Sequence, residues 1–129
     1  MGKIERFEDI EAWKKARGLT KIVYEVTDKG ALSRDFSLRD QLRRSSISIM
    51  ANIAEGFERE GDKEFRQFLS IAKGSVGELK AQFYVAMDAA LISSDQFSNL
   101  MALADESSRL IAGFMRYLKQ STHKGSKYK

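Results

Sequence analysis

The stretch "DQLRRSSISIMANIAEGFERE", residues 40–60, has a helical pattern from end to end. Apolar residues recur in it every three or four positions, which is the spacing of one face of an α-helix. We predict a helix from about Ser37 to Glu60, with a core face formed by Leu38, Leu42, Ser46, Ile49, Ile53 and Phe57. Its remaining sector is unusual because it is polar yet almost uncharged.

Three further segments repeat this periodicity. A first helix is predicted over Asp9–Gly30, because Asp9 is a suitable N-cap and Gly30 suits the position after a C-terminus. A third helix is predicted over about 62–92. The fourth follows the sequence "SSDQ", in which Ser93 and Gln96 have the spacing of a capping box.

Four long helices with short connections and heptad-like apolar stripes are typical of an antiparallel up-and-down four-helix bundle. The chain has 129 residues, which suits a single domain with one core. We assign residues 1–121 to this all-α domain. Residues 122–129 are expected to form a flexible basic tail.

Composition and charge exclude several classes of protein. Hydrophobic residues make up 43% of the chain and charged residues 31%, which is typical of a folded domain. No apolar run is long enough to span a membrane, and the absence of cysteine fits a reducing compartment, so we predict a cytoplasmic protein. Four lysines and no acidic residue lie in the last eleven residues, which leaves 18 basic and 18 acidic residues elsewhere. The net charge of +4 therefore belongs to the tail.

The polar sector of the second helix consists of Gln41, Ser45, Ser48, Asn52 and Glu55, spaced by four, three, four and three. A solvated helix face normally carries lysine and glutamate along its length. Uncharged groups in their place indicate hydrogen bonds to another helix. We assign Ser45, Ser48, Asn52 and Glu55 to a contact between subunits. The simpler alternative is a face that lies in water.

The third and fourth helices carry surface that one core does not need. Opposite the core face of the third helix lie only small residues: Ser70, Gly74, Gly77 and Ala81. Each glycine inside a helix costs about 1 kcal/mol relative to alanine, so this face favours the close approach of another backbone. The fourth helix adds Leu103 and Leu110 beside its own core face. These residues predict a homo-oligomer; the alternative is that the glycines are merely tolerated.

The segments "QLRRSSISIMANIAEGFER" and "EFRQFLSIAKGSVGEL", preceded by "FEDIEAWKKAR", resemble the proteins encoded within intervening sequences of bacterial 23S rRNA genes. They are also similar to the accessory proteins of diversity-generating retroelements. The likeness covers about residues 7–119. It implies an up-and-down four-helix bundle that assembles into a ring-like homopentamer, without established enzymatic activity. The retroelement relatives bind nucleic acid and a reverse transcriptase through basic surface.

The resemblance places the arginines of the first motif at Arg43 and Arg44 and its Asn-Ile-Ala-Glu-Gly segment at 52–56. The Gly-Ser pair of the second motif falls at 74–75. One departure is Met50, which stands where members of the family commonly have proline. Because proline kinks a helix or removes a backbone hydrogen bond, methionine indicates a straighter second helix.

Patterns for catalysis or metal binding are weak. His123 is the only histidine and there is no cysteine, so nucleophile–base pairs and the usual zinc sites are absent from the sequence. The glycines of "KGSVG" lie within a long periodic helix, whose backbone N–H groups are not free to bind phosphate. We predict no cofactor, no metal and no enzymatic activity.

The candidate nucleic-acid-binding residues are Arg39, Arg43, Arg44, Lys14 and Lys15. A ring would repeat them around its axis and produce a multivalent phosphate-binding surface. Acidic residues are interleaved with them, so salt bridges on a mixed, solvated face are the alternative. Two hypotheses follow. The first is a self-assembling scaffold or adaptor that binds another macromolecule, and the second is an accessory protein that binds RNA or DNA.

Overall fold

The computed structural model describes residues 3–123, with side chains up to residue 120. A single 3₁₀ turn, Phe7–Asp9, precedes helices α1 (Glu11–Thr27), α2 (Gly30–Arg34), α3 (Phe36–Phe57), α4 (Asp62–Asp88) and α5 (Ser94–His123). No strand occurs within the described range, so the predicted all-α class is confirmed. Of the predicted tail, residues 124–129 lie outside the described part of the chain.

The start of α1 differs from the prediction. Asp9 does not cap α1; its carboxylate accepts hydrogen bonds from the backbone N–H groups of Glu5 and Arg6, at 3.0 and 3.1 Å. These bonds hold the pKa of Asp9 below its usual value. The N-cap of α1 is Ile10, whose side chain has no oxygen to offer, so α1 begins after the 3₁₀ turn.

The end of α1 differs as well, because a short helix follows that the sequence pattern did not indicate. Helix α1 ends at Thr27, and Gly30, with φ of 70°, is the first residue of α2 rather than a helix terminator. Helix α2 places Leu32 in the core with 1% of its surface exposed. Asp35 then caps α3 by accepting a hydrogen bond of 3.1 Å from the N–H of Leu38.

Helix α4 ends at Asp88, four residues before the predicted end. It closes in a left-handed turn: Ala90 has φ of 59°, and its N–H bonds to the carbonyl of Met87 at 3.0 Å. The N–H of Leu91 bonds back to the carbonyl of Ala86 at 2.9 Å, which completes a Schellman motif. Glycine normally occupies the central position of this motif, so a helix end with alanine there gives no clear signal in the sequence.

The predicted start of the last helix is confirmed. Ser93 donates its N–H to the side-chain oxygen of Gln96 at 2.8 Å, and Gln96 donates its N–H to the Ser93 hydroxyl at 3.1 Å. This reciprocal pair is a capping box, and it satisfies two donors that a helix N-terminus otherwise leaves free.

The long helices bury a common core. Helix α1 packs against α3 and α5, and α4 packs against the same two helices. Phe65 of α4 lies at the centre of one end, with its ring edge-on to Phe57 of α3 and Phe114 of α5, at centroid distances of 6.2 and 5.4 Å. Fully buried aliphatic residues continue this core: Leu19, Val23, Ile49, Ile53, Leu69, Leu79, Ile111 and Leu118.

Candidate interaction surfaces

The polar sector of α3 faces α4 of the same chain. The hydroxyls of Ser48 and Ser75 lie 2.9 Å apart, and the Ser45 hydroxyl donates to the Glu78 carboxylate at 3.3 Å. Asn52 donates its amide to the carbonyl and hydroxyl of Ser48, at 2.8 and 3.1 Å. The uncharged groups therefore have partners within one subunit. A role for Ser45, Ser48 and Asn52 between subunits stays a prediction.

Ser75 was already placed in the second motif, but the polar stripe of α4 to which it belongs was not predicted from the sequence. Ser75, Glu78 and Gln82 are spaced by three and four, which gives α4 a polar stripe complementary to that of α3. Ser75 and Gln82 are buried, with 8% and 9% of their surface exposed. The shared period of the two stripes is the signal that would have paired α3 with α4 before the structure was known.

A polar cavity of about 390 Å³ opens at this seam, lined by Gln41, Arg44, Ser45, Ser48, Glu78 and Gln82. The side-chain oxygen of Gln82 is buried beside it and accepts no hydrogen bond from the described residues. Glu55 lies outside the cavity and bonds to Arg59 one turn later, at 2.7 Å, which raises the pKa of the guanidinium.

The outer face of α4 is open. Ser70, Gly74, Gly77 and Ala81 are all exposed, as the sequence pattern predicted for a face opposite the core. No atom lies within 4 Å of the position that a Cβ would occupy at Gly74 or Gly77, so neither glycine is required by packing within the described chain. The two aliphatic side chains Ile71 and Val85 flank this stripe, each with 53% of its surface exposed. We call Ile71, Gly74, Gly77, Glu78, Ala81 and Val85 the α4 ridge.

A groove of about 650 Å³ separates α1 from α5 and contains the last two predicted contact residues. Leu103, Leu110 and Ile22 of α1 are half-buried along it, and Gly18 of α1 is exposed there. Charged residues of α1 form its rim: Glu11, Lys14, Lys15, Lys21 and Glu25. We call this feature the α1–α5 groove.

The candidate nucleic-acid-binding residues are not a free basic cluster. The Arg39 guanidinium pairs with Asp40 at 3.0 Å and lies 4.8 Å from the centre of the Phe36 ring. Arg43 donates to the Thr27 hydroxyl at 2.8 Å and covers the ring of Tyr24. Arg43 thus joins α3 to α1, whereas these contacts of Arg39 lie within α3.

The two lysines of the set are also engaged. Lys14 pairs with Glu11 at 3.1 Å, and Lys15 of α1 pairs with Glu106 of α5 at 2.7 Å. The hydrogen bond from Lys15 holds the pKa of Glu106 below its usual value. Arg44 alone of the five residues has neither an ion pair nor an aromatic partner among residues 3–120.

Among the described residues there is no group of three histidine, cysteine, aspartate or glutamate side chains that is placed to hold a metal ion. The same part of the chain contains no helix with both the length and the apolar composition of a membrane span. The features that distinguish this protein are therefore helix surfaces: the polar seam, the α4 ridge and the α1–α5 groove.

These features define an all-α protein of long, packed helices. The chain belongs to the 23S rRNA-intervening sequence protein family, whose sequence model matches residues 8–113. The fold is similar to the crystal structure of a protein with unknown function from the S23 ribosomal protein family of Bacteroides thetaiotaomicron. That structure has 21% sequence identity and a TM-score of 0.75, and the match covers 81% of this chain and 95% of the other. Comparison with curated proteins finds no match.

Proposed function

We propose that the four long helices form an antiparallel up-and-down four-helix bundle whose copies assemble into a ring-like homo-oligomer. The assembled ring serves as a scaffold or adaptor in the cytoplasm and binds another macromolecule without catalysing a reaction. The observation that carries this proposal is the open α4 ridge, where two glycines and two exposed aliphatic side chains share one helix face.

In a monomer, the α4 ridge would lower the stability of the fold. Two glycines inside a helix lower its stability by about 2 kcal/mol relative to alanine, and nothing in the described chain needs the space they leave. Ile71 and Val85 also keep about half of their apolar surface in water. Together with the open glycines, these two side chains favour contact with another protein surface. Contact with a second copy would use the space that the two glycines leave and would remove the apolar surface of Ile71 and Val85 from water.

The number of subunits is proposed from the family likeness, which implies five. The proposal that the ring is not an enzyme rests on the same likeness, which implies no established enzymatic activity.

Multi-angle light scattering of the purified chain, coupled to size-exclusion chromatography, tests the assembly. We expect a particle of five times the chain mass of 14.6 kDa at micromolar concentration. A particle with the mass of one chain over the same concentration range would rule the proposal out. A stable particle of another size would contradict only the pentamer.

Nucleic-acid binding is the second candidate, and Arg44 is the residue that favours it because its guanidinium is exposed and unpaired within residues 3–120. Titration of the protein with structured RNA at low and high salt tests this role. Phosphate contacts would give an affinity that falls linearly with salt on logarithmic axes, and Arg44→Gln would reduce that slope. The control is Arg109→Gln, which removes an exposed arginine from α5. Equal weak binding by all three proteins would exclude the role.

A further inference from the structure

The α4 ridge and the α1–α5 groove are two different surfaces on one chain. The groove lies between α1 and α5, whereas the ridge lies on the exposed side of α4, with Glu78 at its edge towards α3. A contact made by a twofold axis brings one surface against itself, and a head-to-tail contact brings two different surfaces together. The groove is concave, and the ridge lacks side chains at Gly74 and Gly77. A head-to-tail contact, in which the ridge of one copy enters the groove of the next, therefore fits these shapes better than a twofold contact.

Short side chains fix the relative heights of α1 and α4 along the bundle. The Thr20 hydroxyl of α1, which donates to the carbonyl of Ala16 at 2.8 Å, also lies 3.2 Å from the carbonyl of Ser46, so Thr20 and Ser46 are at about the same height. On the other side of α3, Ser45 is level with Glu78 and Ser48 is level with Ser75. Since Ser46 lies between these two serines, Thr20 is level with Gly77.

Counting from that pair places chemically matched residues at equal heights. Gly18, two residues before Thr20, is level with Ser75 and adjacent to the level of Gly74. Lys21, one residue after Thr20, is level with Glu78. Gly18 resembles the ridge glycines because no atom lies within 4 Å of its missing Cβ. Lys21 is exposed and forms no ion pair with residues 3–120.

Equal height has a geometric consequence for assembly. A closed ring has no translation along its axis, so neighbouring copies with helices along that axis place residues of equal height in contact. A head-to-tail contact with a rise would instead produce an open filament. The matched residues of the groove and the ridge therefore meet in a ring and separate in a filament.

We infer that the α1–α5 groove of one copy receives the α4 ridge of the next, with Gly18 against Gly74 and Lys21 paired with Glu78. The glycines allow the two backbones to approach closely. The ridge then covers the apolar residues of the groove, which are Ile22, Leu103 and Leu110. This inference rests on the self-assembly proposed above and names the surfaces that carry it.

Disulfide cross-linking tests the Gly18–Gly74 contact directly, because the natural chain contains no cysteine. The double variant Gly18→Cys/Gly74→Cys is expected to form a ladder of covalent oligomers under oxidising conditions on a non-reducing gel. Either single variant alone is expected to stay uncross-linked, and a mixture of the two is expected to give a covalent dimer. Cross-linking of Gly74→Cys alone would overturn the inference, because it would show that two ridges meet.

Charge exchange tests the Lys21–Glu78 pair by an independent route. Lys21→Glu and Glu78→Lys each place like charges together and should weaken assembly at least tenfold, measured by light scattering over a dilution series. The double exchange restores opposite charges at every contact and should recover most of that loss. Lys29→Glu is the matched control, because Lys29 is exposed and lies outside both surfaces. A double exchange that assembles no better than the single variants would count against the pairing.

The wild-type protein separates failure of this inference from failure of the assembly itself. Wild-type chain that runs as single copies contradicts the proposed function, and the inference falls with it. Wild-type chain that assembles while the Gly18→Cys/Gly74→Cys variant stays uncross-linked contradicts only the choice of surfaces.

Discussion

Within residues 3–123, Ala90 is the non-glycine residue whose φ is positive. It has φ of 59° in the turn that ends α4, a conformation in which a Cβ costs about 1 kcal/mol. Ala90→Gly is therefore expected to raise the free energy of unfolding by about 1 kcal/mol, measured by chemical denaturation. Ala89→Gly is the matched control: Ala89 has φ of −85°, so glycine there should lower stability. Equal effects of the two substitutions would refute the explanation.

Gly56 differs from the open glycines of α4 because packing requires it. A Cβ at Gly56 would lie 2.7 Å from the ring of Phe65 and 2.8 Å from the Cβ of Phe68. Phe65 is fully buried and has no room to retreat. We expect Gly56→Ala to lower the free energy of unfolding by about 1–3 kcal/mol, despite the better helix propensity of alanine.

Gly113→Ala is the control for that measurement, because the nearest atom to its added Cβ is a mobile Arg116 nitrogen at 3.6 Å. This substitution should raise the free energy of unfolding by about 0.5–1 kcal/mol. If Gly56→Ala also proved stabilising, the conclusion that α3 packs too closely on Phe65 to admit a Cβ at Gly56 would be wrong.

At the scale of helices, the Ser48–Ser75 hydrogen bond joins α3 to α4. Removing the Ser48 hydroxyl takes this partner from Ser75 at a partly buried seam, whereas removing the Ser75 hydroxyl leaves Ser48 with its hydrogen bond from Asn52. In a double-mutant cycle with Ser48→Ala and Ser75→Ala, we expect a coupling of about 1 kcal/mol in the free energy of unfolding. Additive effects would mean that the two hydroxyls do not interact.

Helix periodicity was a reliable guide at this scale, whereas helix ends were not. The apolar stripe of residues 40–60 predicted α3, and the Ser93–Gln96 spacing predicted the start of α5. The predicted starts and ends at Asp9, Gly30 and Ile92 were wrong. Each error has a local cause: a carboxylate that bonds backwards, a short inserted helix, and alanine in a turn that normally contains glycine.

For the molecule as a whole, assembly links stability to concentration. A folded state that is stabilised by contacts between copies has a melting temperature that rises with protein concentration. We expect this rise for the wild-type chain in scanning calorimetry. Gly74→Leu, which fills the α4 ridge, should melt at a temperature independent of concentration.

Ala102→Leu provides the comparison, because Ala102 is an exposed position on α5 that lines neither the ridge nor the groove. It should keep the concentration dependence of the wild type. A wild-type melting temperature that does not change over a hundredfold range of concentration would contradict self-assembly at the scale of the whole molecule.

The linear order of residues was enough to predict an all-α chain, its long helices and their buried faces. An α-helix has 3.6 residues per turn, so the residues of its buried face recur every three or four positions in the sequence. The family likeness followed from the same segments and was confirmed by the family match. The partner of each polar or charged side chain depended on the packing of the helices. Ser48 bonds to Ser75 across 27 positions and Lys15 to Glu106 across 91, and no local period relates residues so far apart. The polar face of α3 contacts α4 of its own chain. Only the tertiary structure could decide this, because the free energy of a buried hydroxyl depends on the group that lies opposite it in space.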